Sequence, residues 1–272
     1  MTDLPSTGDL RVLLLDADGN LFPSEEPAFV ASADVTNRFL ASLGVPARYT
    51  ADQLLAATTG KNFRTTAVDL AVANGVAVEP ALHPGSGPPT GDARRPTLTA
   101  AVLDDWVAEE KKVVSEYLGQ VLRPDPAVFD PLRRLAARFP LAAVSSSALS
   151  RLEECFRATA LAELIPAERR YSAEDSLPRP TSKPDPAVYL FAAEQLGVAP
   201  AQALAVEDSL PGAQSAVAAG ITTVGNVMFV PPGERAARRA ALTDVGVTMV
   251  IESWTQLASA LLDGSTAPRA GS

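Results

Sequence analysis

The sequence predicts an α/β fold, a doubly wound and mostly parallel sheet with an inserted all-helical domain. Three observations carry this expectation. Short apolar runs stand at residues 10–15, 141–144, 203–206, 221–225 and 247–251. Runs that are continuous rather than alternating mark strands buried on both faces. Helical patterns separate the last four runs, as right-handed crossover units between parallel strands require. Residues 25–122 read instead as helix throughout and are far too long for a simple crossover.

The first strand, Leu10-Arg-Val-Leu-Leu-Leu15, stops at Asp16. The α/β core is expected over 1–24 and 123–272, and the helical insert over 25–122. Inside the insert, helices are expected at 27–43, 51–57, 63–74 and 98–118, with Phe39, Leu40, Leu43, Leu54 and Leu55 on their apolar faces and Trp106 and Tyr117 packing the last. Residues 76–96, rich in Pro and Gly around His83, read as an exposed loop. In the core, Asp125-Pro126 and Asp185-Pro186 each set an acidic cap before a proline suited to a first helical turn. Cys155, between Leu152 and Phe156, reads as an apolar helix-face residue, and Arg94-Arg95 and Arg238-Arg239 as solvated charge. The small, polar tail after Leu262 is expected to fray.

Composition narrows the chemistry. The 272 residues are 47% hydrophobic and 20% charged, as in ordinary soluble proteins. A net charge of −9 repels polyanions and excludes general nucleic-acid binding. The one cysteine cannot form an internal disulfide, which makes the cytoplasm the default compartment. Residues 1–9 lack a secretory pattern, and the longest charge-free window, 209–233, is broken by Pro and Gly, so no membrane span is expected. With its only histidine in the Pro/Gly loop, the chain cannot assemble a Ser-His-Asp triad, a Cys-His pair or an ordinary zinc site. Carboxylates, hydroxyls and lysine remain, the equipment of oxygen-ligated magnesium and phosphoryl chemistry.

Ligands of open α/β sheets sit outside the carboxyl ends of strands, and the polar groups of this chain collect there. The first strand runs into Asp16-Ala-Asp-Gly-Asn20, with two aspartates on one side of an extended chain. The second ends in Ser145-Ser-Ser147 before a helix, an anion seat. The third ends in Glu207-Asp208, and Lys183 precedes another helix with reach to neutralise an anion. Taken singly, each piece also reads as a cap or a turn. Together, the carboxylates would repel one another unless a divalent metal joined them, and all-oxygen ligation favours magnesium.

In this order, Asp16-x-Asp18-Gly19, Ser145 after an apolar strand, Lys183-Pro-Asp-Pro186 and Val206-Glu-Asp-Ser-x-x-Gly212, the sequence resembles the haloacid dehalogenase superfamily, in its β-phosphoglucomutase-like phosphatase subgroup. The resemblance implies a Rossmann-like core, with residues 25–122 as the helical cap. It implies a magnesium-dependent phosphatase that hydrolyses a small phosphorylated metabolite, sugar or polyol phosphate-like, through an aspartyl-phosphate. Asp16 would be the nucleophile and Asp18 the general acid and base. Magnesium would be held by Asp16, the Asp18 carbonyl and Asp208, with Glu207 in support; Ser145, Ser146 and Lys183 would grip the phosphoryl oxygens.

The departures also count. Asn20 stands where Thr or Val is usual, and Pro23 where Asp is often found; Ala28 stands where the mutase branch carries His. A phosphosugar mutase and a non-catalytic phospholigand-binding protein on the same fold are the rival readings. Substrate choice is expected to fall to the turn 58–64, where Gly60 allows a close approach and Lys61, Asn62 and Arg64 could bind substrate; equally, Gly60 ends one helix and Lys61 and Arg64 decorate the next. The chain is expected to act as a monomer or homodimer.

Overall fold

The computed structural model describes residues 8–58, 62–83 and 96–263. The chain divides into two compact units, one of residues 1–24 with 122–272 and the other of residues 25–121.

The first unit holds a six-stranded, all-parallel sheet. Its strands are β1 (Val12–Leu15), β2 (Leu141–Ser145), β3 (Arg170–Ser172), β4 (Ala203–Glu207), β5 (Thr222–Asn226) and β6 (Met249–Ile251), in the order β3-β2-β1-β4-β5-β6. Leu13 pairs with Leu141 on one side of β1 and with Leu204 on the other. The order therefore reverses at β1, and a crevice opens at its carboxyl end between β2 and β4, the place where such sheets bind ligands. The three central strands β1, β2 and β4 are apolar up to their carboxyl ends because helices cover both faces. On one face Val12, Leu14, Val144 and Ala205 pack against Val188, Tyr189 and Ala192 of α7 (Ala187–Gln195) and Ala216 of α8 (Leu210–Ala218).

Five strands coincide with the apolar runs; β3 has no such run. Its Arg-Tyr-Ser is buried because Arg170 lays its guanidinium 4.4 Å from the Phe156 ring centre while donating to the Ile165 carbonyl and to Glu153. A paired, stacked arginine can occupy an interior that a hydropathy pattern reserves for aliphatic residues. Asp125 caps α5 (Pro126–Ala136), its carboxylate accepting from Ala127 N at 2.8 Å. Cys155 is buried on α6 (Leu149–Ala158) beside Leu152 and Phe156; burial pushes its thiol up to about 12, so it is an inert filler.

The second unit is helical: α1 (Glu25–Ser42), α2 (Ala51–Thr58), α3 (Phe63–Ala73) and α4 (Ala100–Val121). Phe39 centres its core, edge-on to Phe63 at 6.3 Å and to Trp106 at 5.9 Å between ring centres. The chain after α1 is fixed by Asn37, which donates to the Tyr49 carbonyl and accepts from the Tyr49 N–H. Around the Pro/Gly stretch, a bridge between Val78 and Leu98 joins the two flanks, and α4 begins at Ala100, whose N–H donates to Glu79. Residues 84–95, the tail 264–272 and Lys61 lie outside the described residues. Among the described residues no helix is long and apolar enough to cross a membrane.

Candidate active site

Chain direction brings the acidic groups together. Asp16 leaves β1 with its N–H on the Val206 carbonyl at 3.0 Å, so it stands beside the end of β4, where Glu207 and Asp208 follow. Gly19, with φ of 74°, turns the chain back so that its N–H meets the Phe22 carbonyl. One carboxylate oxygen from each of Asp16, Glu207 and Asp208 lies within 4.8 Å of the others, and all three residues are buried.

Lys183 is the cation within this cluster. Its Nζ donates to Asp16 Oδ1 at 2.5 Å, Glu207 Oε1 at 2.6 Å and the Val144 carbonyl at 2.8 Å, which uses all three ammonium hydrogens. Its main-chain N–H rests on Ser146 Oγ at 3.1 Å, tying the lysine loop to the end of β2. Tyr189 donates its hydroxyl to the same Glu207 Oε1 at 2.5 Å, leaving the buried Glu207 Oε2 without a hydrogen-bond partner.

Asp18 faces a separate set of donors. Ser24 Oγ lies at 2.5 Å from Oδ1, Ser147 Oγ at 2.7 Å from Oδ2, Ser145 Oγ at 3.4 Å, and Arg151 Nη2 at 3.4 Å. The two aspartates thus belong to different networks, Asp16 with lysine and acids, Asp18 with hydroxyls and arginine.

Residues 10–220 match the sequence profile of the haloacid dehalogenase-like hydrolases. The chain belongs to this family. A haloacid dehalogenase-like hydrolase domain-containing protein of Arabidopsis thaliana is 36% identical over 143 residues, a stretch covering 50% of this chain and 42% of that protein. The chain therefore spans less than half the length of that curated relative. A family hydrolase of Deinococcus radiodurans R1, solved with bound phosphate and sodium, is 26% identical with a TM-score of 0.60, covering 94% of this chain and 96% of the other. CbbY of Rhodobacter sphaeroides, solved with xylulose-(1,5)bisphosphate, shares the fold at a TM-score of 0.61 and 20% identity, covering 91% of this chain and 96% of the other.

The protein places Asp16, Asp18, Ser145, Ser146, Lys183, Glu207 and Asp208 at one end of its sheet. Two of the residues expected to select substrate have partners within the helical unit. Asn62 caps α3, accepting from Thr65 N at 3.0 Å, and Arg64 pairs with Asp104 of α4. The sequence gives no sign that Ser24, Arg151 and Tyr189 belong to the site, and it marks Ser147 only as part of the serine seat and not as a partner of Asp18. Arg151 and Tyr189 lie in helical patterns that say nothing of tertiary reach. Arg238, expected as solvated charge, donates from α9 (Arg235–Val245) to the Asp208 carbonyl at 2.7 Å and braces the acidic loop.

Electrostatics separate the two aspartates. Burial raises the Asp16 carboxyl to about 8, and the Glu207 carboxylate adds to the rise against the pull of Lys183. For Asp18 burial again acts upward, but Arg151 and the hydroxyls of Ser24 and Ser147 outweigh it and hold the carboxyl below its usual range. Lys183, despite burial, is held above its ordinary value by Asp16 and Glu207 and stays charged. Burial and the Glu207 carboxylate push Tyr189 well upward, keeping it a hydroxyl donor.

An Asp16 raised from 3.8 to about 8 keeps its proton in the folded state at pH values where the unfolded chain has released it. The folded state then binds more protons, so stability falls as pH rises through that window. Thermal unfolding in EDTA is expected to show a midpoint that declines between pH of about 5 and about 8.5, with a shallower decline in Asp16→Asn. Identical slopes for the two proteins would contradict the raised carboxyl.

Proposed function

We propose that the protein is a phosphoric monoester hydrolase that cleaves a small phosphomonoester, of sugar or polyol phosphate type, by an aspartyl-phosphate route. The observation that carries the reading is the Lys183 bridge: one buried ammonium joins Asp16 to Glu207 where β1 and β4 end, beside a second aspartate held in a hydroxyl network. The bound phosphate and the sugar bisphosphate of the two solved relatives support the substrate class.

The donor set fits a hard divalent cation. It is all oxygen, its three carboxylates converge, and Glu207 Oε2 is buried without a hydrogen-bond partner. Asp16, Glu207, Asp208 and the Asp18 carbonyl would hold magnesium. The ion would supply positive charge beside the phosphoryl oxygens and lower the barrier to bringing an anion against a carboxylate.

Asp16 attacks phosphorus, forming the carboxylate O–P bond as the P–O bond to the alcohol breaks. Asp18, which Arg151 and the serine hydroxyls keep ionised in the free chain, takes up a proton as the phosphomonoester binds and gives it to the departing oxygen. The same carboxylate then takes a proton from water, whose oxygen attacks phosphorus and returns Asp16 with release of phosphate. Ser145 and Ser146 hold the phosphoryl oxygens through the displacement, and Lys183, whose hydrogens are taken by Asp16, Glu207 and the Val144 carbonyl, adds its positive charge beside them. Ser24, Ser147 and Arg151 aim Asp18. Lys61, Asn62 and Arg64 are candidates for contact with the alcohol portion of the substrate. The buried lone cysteine suits a cytoplasmic monomer or homodimer.

Phosphate release from p-nitrophenyl phosphate and a sugar-phosphate panel tests this reading. Turnover with magnesium is expected to drop at least about 10²-fold in EDTA and to return on adding the ion. Isomerisation of a sugar phosphate without phosphate release would point to a mutase, and binding without either reaction to a phospholigand-binding protein.

A further inference from the structure

Asn20, the departure from the family pattern, is fully buried at the point where the two acidic strand ends meet. Its Nδ2 donates to the Asp16 carbonyl at 2.9 Å and to the Val206 carbonyl at 3.1 Å. Both targets are acceptors only, so the amide nitrogen must face them and Oδ1 must face away. There it accepts from Asn226 Nδ2 at 2.8 Å, at the end of β5, and Asn226 Oδ1 in turn accepts from Met228 N at 3.0 Å. Trp254 Nε1 donates to the Asn20 carbonyl at 3.3 Å. Every amide orientation in this chain of donors is fixed by the next.

We infer that Asn20, oriented by Asn226, is a positioning residue that sets the distance between Asp16 and the Glu207-Asp208 pair and thereby tunes the cation site. The inference rests on the phosphatase reading above and deepens it. The Val206 carbonyl accepts from both Asp16 N and Asn20 Nδ2, and the Asp16 carbonyl from Asn20, so the amide clamps the last peptide of β1 to the last of β4. Threonine has one hydroxyl hydrogen and could serve only one of these carbonyls; valine could serve neither. The clamp is also neutral, so it draws the two acidic ends together without competing with a cation as a second lysine would. Asn226 lies outside the 10–220 span of the family match, so the partner that orients the clamp is contributed by the rest of the chain.

The test is Mn²⁺ affinity, read from the free-ion electron paramagnetic resonance signal without substrate, on the full chain. Asn20→Val is expected to weaken binding about tenfold or more, and Asn226→Val several-fold, by analogy with groups that orient metal ligands. The double variant should be little worse than Asn20→Val alone, because both act through one amide. Leu135→Ala, a core change in the same unit, is the control: it should lower the unfolding temperature while leaving Mn²⁺ affinity at the parent value. In turnover, Asn20→Val should lower kcat more than it raises KM.

Parent-like Mn²⁺ affinity in folded Asn20→Val overturns the inference, as does an affinity loss in Leu135→Ala that matches its loss of stability. Should Asn20→Val fail to fold, Asn20→Thr and Asn226→Val carry the same comparison, and parent-like affinity in both overturns it. A parent protein that binds Mn²⁺ but hydrolyses nothing defeats the phosphatase reading and leaves the clamp standing; one that does neither defeats both.

Discussion

Replacing Asp16 by asparagine is expected to lower turnover at least ~10⁴-fold, about 5.4 kcal/mol of transition-state stabilisation, while leaving the metal-free fold as stable as the parent or more so. The two halves of this result have one cause. The carboxylate that would attack phosphorus is the one that burial and Glu207 make costly to ionise. An amide keeps its shape, cannot become a nucleophile, and stays neutral in a crowded site without needing a proton. Lys183 keeps Glu207 and the Val144 carbonyl as partners, so the buried ammonium is not stranded. Steady-state phosphate release measures the first half and calorimetry in EDTA the second. Acid-quenched mixtures with phosphorus-labelled substrate should show phosphate covalently on the parent chain and none on Asp16→Asn. Residual turnover of more than a few per cent would remove Asp16 from the reaction. A stability loss comparable to that of a broken buried ion pair would mean that its charge serves the fold.

How much of this was legible follows from the range of each interaction. Strands buried on both faces must be apolar along their length, so five of them stood out as runs; β3 did not, because Arg170 solves its burial by stacking on Phe156. The first-strand aspartates, the serine seat and the acidic pair were readable because a parallel sheet carries all strand ends to one edge, so residues far apart in sequence share a face without any contact being known. Lys183 needed only reach. Tyr189 and Arg151 were not readable: their contacts to Glu207 and Asp18 depend on how two helices settle on the sheet. Asn20 was visible as an anomaly, but its meaning required Asn226, brought to it by the pairing of β4 with β5. For Arg64 the sequence supported two uses equally, and within the helical unit it decorates α3 and pairs with Asp104; the cap that Asn62 makes was not read, because a capping side chain is told from a binding one only by where the helix begins.

Gly212→Ala is expected to weaken divalent-cation binding at least about tenfold and turnover by about 10²-fold. It should also cost about 1–3 kcal/mol of stability. Helix propensity alone predicts the reverse, since alanine in α8 is favoured over glycine by ~1 kcal/mol. Sterics decide the sign. A Cβ at Gly212 would fall 1.8 Å from Glu207 Oε2 and 2.6 Å from Oε1, so the carboxylate and the methyl cannot coexist. Nor can Glu207 step aside cheaply: it is fully buried, and Lys183 and Tyr189 both hold its Oε1. The helix is pinned as well, because Ser209 caps it by accepting the Gly212 N–H. What yields is the placement of the Glu207 carboxylate that would help hold the cation. A double-mutant cycle isolates this cause. In a Glu207→Ala background the methyl has nothing to strike, so adding Gly212→Ala should cost no stability and recover the propensity gain. An equal cost in both backgrounds would show that the glycine serves the backbone of α8 rather than the carboxylate above it.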